Sequence, residues 1–161
     1  MRIEYFQLID RIVDLNLNDL TIRVEANVPT DSTIFEGHFP GRPLMPGVLL
    51  IEAMAQAAGW LIIGRTRFQK MPFLAALKEV KLRTFVMPGQ ALMVSAKIMH
   101  EGSGFTLTEA EIQVDAKTVC NADITFRVID FPKGEFLASM HEVAQRIAFP
   151  METVAHVEQR G

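Results

Sequence analysis

A single cysteine stands among the 161 residues, so no disulfide can form within the chain. Cys120 lies in the apolar stretch 118–126 and reads as a small buried hydrophobe rather than a reactive thiol. Charge of one sign is also scarce. The formal net charge is −3, which offers no general attraction to nucleic acid. Charged residues make up 22% and apolar ones 49%, a balance that excludes disordered, collagen-like and disulfide-rich chains and is enough for one core. No repeat, low-complexity tract or Gly/Ser linker divides the sequence, so one domain over residues 1–161 is expected. Residues 1–20 lack an uninterrupted apolar run, because Arg2, Glu4, Asp10, Arg11 and Asp14 break it. No signal peptide is expected there, and the protein is expected to be cytoplasmic.

The stretch Leu44–Ile63 is apolar and near spanning length, but it contains Pro46, Gly47, Glu52, Gln56 and Gly59. A carboxylate in mid-membrane is costly, so a buried helix in a soluble protein is expected instead of a membrane span. Pro46 and Gly47 open this helix, and Gly64 is the expected stop.

Around it the patterns change. Apolar residues of Glu4–Val13 recur at helical spacing and predict a short amphipathic helix. Leu20–Val28 alternates and predicts a strand. Pro29–Gly47 is dense in Pro and Gly and predicts no regular element. Phe73–Val86, Ala91–His100, Phe105–Ala116 and Lys117–Ile129 read as further strands with short connections, which favour antiparallel neighbours. Gly134–Phe149 returns to helical spacing and predicts a peripheral helix, then a frayed tail. A helix apolar all round must be covered all round, so the fold class is α+β, a long helix packed on an antiparallel sheet.

The chemistry concentrates in FEGHFPGRPLMPGVLLIEAMAQ, Phe35–Gln56. His38 sits between Gly37 and Phe39-Pro40-Gly41, where a rigid backbone could aim an imidazole for proton transfer. A loop histidine without a role is the alternative. Glu52 falls in the second helical turn among Leu49, Leu50, Ile51, Ala53, Met54 and Ala55. Desolvation there would keep a carboxyl protonated and able to donate, unless it serves as a paired structural group. Gln56 lies one turn on, able to orient that carboxyl or simply to bond with it. The Gly47 and Val48 amides stand at the helix start, free to bind an oxygen on which charge builds, or merely to begin a helix. A base, an acid and oxyanion donors suit elimination of water next to a thioester carbonyl. No metal-ligand cluster, phosphate loop or Ser/His/Asp arrangement competes, so no metal and no cofactor is expected. His100, His141 and His156 are isolated and read as surface residues.

At these residues the sequence resembles the bacterial beta-hydroxyacyl-acyl carrier protein dehydratases, whose G-H-F-P-G, M-P-G-V and E-A-M-A-Q runs all occur here at matching spacing. The resemblance extends loosely over residues 1–131 and leaves 132–161 as a C-terminal extension with a peripheral helix. It implies a hotdog fold, an antiparallel sheet wrapped around a long central helix. It implies a homodimer, possibly a trimer of dimers, with sites shared between subunits. It also implies a (3R)-hydroxyacyl substrate carried on the phosphopantetheine of acyl carrier protein in fatty acid synthesis, which becomes a trans-2-enoyl product. His38 is then the base, Glu52 of the partner subunit the acid, Gly47 the carbonyl donor and Gln56 the residue that positions the acid. A glutamate rather than an aspartate at the acid position resembles the dehydratase-only branch. The run KLRTFVMPGQAL, Lys81–Leu92, departs from the family by keeping one arginine and by placing Gln90 where an aspartate is usual. That departure and the longer tail resemble dehydratases dedicated to very-long-chain acyl groups for lipid A in alphaproteobacteria.

Arg65, Arg67, Lys70, Lys78, Lys81 and Arg83 stand against one acid, Glu79, over residues 65–83. Such a patch could dock an acidic carrier protein, or be a solvated face. Two rival functions remain at this level. One is thioester hydrolysis on the same fold; the other is a non-catalytic subunit that binds acyl carrier protein.

Overall fold

The computed structural model describes residues 1–132 and 134–156 of the chain. A 3-10 turn, Ile3–Tyr5, leads to β1 (Arg11–Asn16) and β2 (Thr21–Asn27). Two helices follow, α1 (Thr33–Gly37) and α2 (Gly47–Arg65). Then come β3 (Lys70–Leu82), β4 (Ala91–Gly102), β5 (Phe105–Val114) and β6 (Lys117–Asp130), and finally α3 (Glu135–Arg146) and α4 (Met151–His156).

Among the described residues the strands form one sheet in the order β1-β2-β4-β5-β6-β3, with every pair antiparallel. The sheet curls around α2, which touches β2, β3, β4, β5 and β6. Burial along the helix explains the wrap. Ala53, Met54, Ala57, Ala58, Leu61 and Ile62 are all at 0% exposure on one half of the helix, and Ala55, Gly59, Trp60 and Ile63 are buried on the other, where Glu52 and Gln56 stay half-buried. Small residues at 53, 57 and 58 let strands approach closely, while Met54, Leu61 and Ile62 each contribute about 1.5–3 kcal/mol of apolar burial. α2 is long and apolar enough to cross a membrane, yet here it is the core of the sheet. This is the hotdog fold. Strand signals were strong where period two was clean: β2 alternates Ile22, Val24 and Ala26 inward against Thr21, Arg23 and Glu25.

Four local expectations fail, each for a physical reason. Residues 4–13 are not an amphipathic helix. Ile12 pairs with Val24 and its amide donates to Ile147 O at 2.7 Å, so sheet pairing overrides the helical spacing of a β-branched segment. Residues 29–47 are not wholly irregular, because Ser32 caps α1 by accepting from the Ile34 amide at 3.3 Å. The helix ends within one residue of the expected Gly64, but glycine is not its cap, which is Thr66. α2 continues to Arg65, and a Cβ at 64 would lie 2.9 Å from Phe149 Cζ, so glycine there allows a close approach. The segment after Phe149 is helical at Met151–His156 rather than frayed; the end of the expected tail, residues 157–161, lies outside the described residues.

Cys120 is fully buried, and burial pushes its thiol up to about 11, with the charge of Arg83 acting in the opposite sense. A thiol in that state is a packed hydrophobe, as its apolar surroundings in the sequence indicated.

Candidate active site

Short-range bonds build the loop that carries His38. The Ser32 hydroxyl donates to Glu4 Oε1 at 2.7 Å, and the Thr33 amide donates to the same oxygen at 3.3 Å. The Ser32 bond is the main reason that the Glu4 carboxyl is held below its ordinary range. These contacts fasten α1, and His38 caps its C-terminus by donating its amide to Ile34 O at 3.0 Å. Phe39 and Arg42 then exchange backbone bonds around Gly41, whose φ of +71° suits glycine. The Leu44 amide returns to His38 O at 2.9 Å.

The imidazole is oriented by the same loop. His38 Nδ1 lies 3.0 Å from Leu44 O. A carbonyl oxygen can only accept, so Nδ1 carries a hydrogen, and in the neutral ring the lone pair is on Nε2. The Phe39 ring stacks on the imidazole with centroids 4.2 Å apart.

The start of α2 faces this ring. The Leu49 and Leu50 amides both donate to Pro46 O. Those of Gly47 and Val48 come before the first intrahelical acceptor that geometry permits. Gly47 and His38 line one cavity of about 500 Å³, together with Leu44, Leu82, Arg83 and Phe85. A Cβ at Gly47 would sit 2.5 Å from Leu82 Cδ1, so the bare backbone lets the end of β3 close over the helix start. The Val48 side chain is 70% exposed and takes no part in the lining.

Glu52 and Gln56 form the second cluster. Gln56 Oε1 accepts from the Leu8 amide at 3.0 Å. Its Nε2 donates to Phe6 O at 2.8 Å and to Glu52 Oε1 at 3.0 Å. With both amide hydrogens and the carbonyl engaged, Gln56 cannot flip without breaking three bonds. Glu52 Oε1 is therefore an acceptor, and a proton on this carboxyl belongs on Oε2. Glu52 is half-buried in the single chain rather than fully desolvated, because the edge of the sheet beside it is uncovered. It opens, with Gln56, Trp60 and Ile63, on a cavity of about 210 Å³.

Within one chain the two clusters are apart. His38 and Gly47 share the first cavity, Glu52 and Gln56 the second, and neither pair lines the other's. Five helical steps from Gly47 to Glu52 turn about 140° around α2 and rise about 7.5 Å. Between the two clusters runs β3, an edge strand of 13 residues with Phe73, Leu74, Leu77, Val80 and Leu82 exposed. Phe85, just beyond its end, is 76% exposed.

The six cations do not gather at one point. Lys70 and Leu82 bound a strand whose ends are roughly 40 Å apart at ordinary strand rise. Arg65 pairs with Glu101 at 3.3 Å and Lys70 pairs with Asp130, at one end together with Arg67. Lys78, Lys81 and Arg83 lie toward the other, where Lys81 faces Glu79 at 3.5 Å and Arg83 donates to Asn121 at 2.7 Å. Of these, Arg83 alone lines the His38 cavity.

Several contributors were invisible in the sequence. The Leu44 carbonyl is a backbone group with no residue-type signal. Phe6 and Leu8 hold the Gln56 amide across a separation of 48 or more positions. Met140 of α3 reaches the Glu52 cavity. His100 and His141 are exposed, with His141 against the Phe68 ring, and the side chain of His156 lies outside the described residues. Among the described residues no group of three or more His, Cys, Asp or Glu is placed to hold a metal ion.

The FabA-like domain matches residues 2–123 of the chain. A 3-hydroxyacyl-acyl-carrier-protein dehydratase FabZ of Lactiplantibacillus plantarum is 40% identical over 120 residues, covering 74% of this chain and 81% of that protein. A protein of the same name from Lactococcus lactis is 38% identical over 122 residues, covering 75% and 83%. Among solved structures, a conserved protein of Pseudomonas aeruginosa superposes with a TM-score of 0.61 at 21% identity, over 78% of this chain and 91% of that one. A Streptococcus mutans protein bound to acetyl CoA gives 0.58 at 13% identity, over 76% and 90%. At such identities these structures speak to the fold alone.

Proposed function

The chain belongs to the FabA-like family of hotdog dehydratases, and from that premise we propose that it eliminates water from a (3R)-hydroxyacyl thioester on acyl carrier protein, leaving the trans-2-enoyl thioester for fatty acid synthesis. The observation that carries this reading is the shared cavity of His38 and Gly47. A free Nε2 lone pair and unpaired helix-start amides face one space, where a thioester carbonyl and its neighbouring carbon would fit.

The roles are those the family resemblance implies, and the His38 cavity is compatible with them. His38 Nε2 takes the proton from C2. The Gly47 N–H, supported by that of Val48, donates to the carbonyl oxygen as negative charge collects there. The acid is Glu52 of the partner subunit, which gives its Oε2 proton to the departing C3 hydroxyl. Water leaves as the C2–C3 double bond forms. Gln56 holds the other carboxyl oxygen, so the acid presents the correct one.

A second copy is what joins the clusters. The uncovered β3 edge offers a row of backbone donors and acceptors beside exposed Phe73, Leu74, Leu77 and Leu82. An unpaired apolar edge of this length calls for strand pairing, and a twofold partner would set His38 of one chain opposite the carboxyl of the other. Trimers of such dimers belong to the same proposal. Lys78, Lys81 and Arg83, at the His38 end of β3, are the cations best sited to receive an acidic carrier protein; Arg65, Arg67 and Lys70 stand at the far end of it. Carrier protein brings the phosphopantetheine arm, so no cofactor of the chain's own is needed. The reading takes residues 1–131 as the catalytic core, 132–161 as an appended segment, and a cytoplasmic setting. Its finest level is a subgroup acting on very long acyl groups for lipid A, supported by the departures at Lys81–Leu92 and the added tail.

The test is complementation between inactive subunits. His38→Ala and Glu52→Gln should each make no enoyl product, and mixed dimers formed by subunit exchange should recover activity at the one intact site. Silence after proven exchange would defeat the shared-site reading. Release of free thiol in place of enoyl product would instead indicate thioester hydrolysis.

A further inference from the structure

The cavity that opens at Glu52 extends past the matched domain. Its walls include Trp60, Ile63 and Met71, and also Met140 of α3, whereas the family match ends at residue 123. α3 presents Leu137, Met140, Val143 and Ala144 to the core at helical spacing and turns Glu135, Glu142 and Arg146 outward. Its C-terminal end is fastened. Phe149 packs on Trp60 and Phe68 with centroids 5.9 and 5.3 Å apart, and Ile147 O accepts from the Ile12 amide. The other end begins at Gly134, with φ +92° and no side-chain cap. The helix is thus a wall of the cavity secured at its C-terminal end, with a flexible thioether facing in.

We propose that α3 is the end wall of the acyl cavity and that Met140 sets the length of acyl chain the cavity accepts. The identity of the occupant rests on the dehydratase reading above; the position of the wall does not. Beyond Cβ, methionine carries three heavy atoms, so its removal makes room for about two to three methylenes.

Trp60 is the chain's single tryptophan and lines the same cavity, so its fluorescence reports occupancy. The full chain is titrated with straight-chain 3-hydroxyacyl-pantetheine thioesters of rising even length, and enoyl product is followed in the same samples. For wild type, affinity should climb about fourfold per methylene and then stop at one length, where the chain meets the wall. Met140→Ala should move that break two carbons or more upward, with about tenfold tighter binding at the first length beyond it and no change for short chains. Met140→Phe should move the break downward. An unmoved break in both variants, an equal change at every length, or no fluorescence response in wild type overturns the proposal. Absence of enoyl product from these thioesters and from the carrier-protein-linked substrate, alongside a break that moves with residue 140, would remove the dehydratase reading and leave the wall standing.

Discussion

The two ends of α2 are built on opposite plans. At the N-terminal end, Pro and Gly residues strip away side chains, and the useful groups are backbone: the Leu44 carbonyl, the Gly47 and Val48 amides. Apolar groups there, Val48 and Phe85 among them, stay exposed. At the C-terminal end, Trp60, Phe68 and Phe149 interlock, and glycine at 64 serves to bring Phe149 nearer. One end is left open, as the proposed site would require, the other packed to hold. A protein can spend stability on a site when another part of the same element supplies it.

Substitutions that separate activity from stability sharpen this contrast. His38→Ala, at the open end, should lower kcat/KM by about 10²–10⁴-fold with the melting temperature near wild type. A large thermal shift would mean that the ring holds the loop together. Phe149→Ala, at the packed end, should do the reverse and cost about 3 kcal/mol or more in denaturant unfolding, with turnover retained while the protein stays folded. Cys120 tests whether the sheet behind the open end is dry, since it pairs in register with Leu82. Its thiol rises from an ordinary 9.0 to about 11, so the stability it contributes is complete below about pH 9 and is lost as pH climbs through 11. Wild type should lose about 2–3 kcal/mol over that window relative to Cys120→Ala, and parallel pH profiles would show that water reaches the thiol. The smallest effect belongs to Gly47→Ala. The new methyl meets the end of a flexible leucine rather than backbone, so about 1 kcal/mol of stability should go, with roughly tenfold in kcat/KM as Leu82 shifts over the amides. An unchanged rate would take those amides out of the chemistry.

The sequence made the N-terminal end of α2 legible and left the C-terminal end nearly blank. His38, Gly47, Glu52 and Gln56 lie within 19 residues, and their types suggest the acid–base chemistry proposed for them. The wrap around α2 was also readable, because a helix without a polar face needs a cover. The aromatic joint draws on Trp60, Phe68 and Phe149, separated along the chain and carrying no signal beyond hydrophobicity. Residues 4–13 misled for a related reason: their spacing fits a helix, and only the distant partners Val24 and Ile147 decide for a strand. Glu52 was expected to be sealed among its apolar sequence neighbours, but those neighbours turn to other sides of the helix, and the β3 edge leaves the carboxyl half open.

The saturated Gln56 amide has a use of its own. Because its oxygen takes the Leu8 amide, 48 positions away in sequence, while its nitrogen grips Glu52, Leu8 and Glu52 are joined through a single rigid group. Hydrogen exchange at the Leu8 amide is therefore an antenna for the clamp, legible by NMR with neither substrate nor carrier present. Any variant, pH or inhibitor that loosens the carboxyl should quicken that one proton before activity is ever measured.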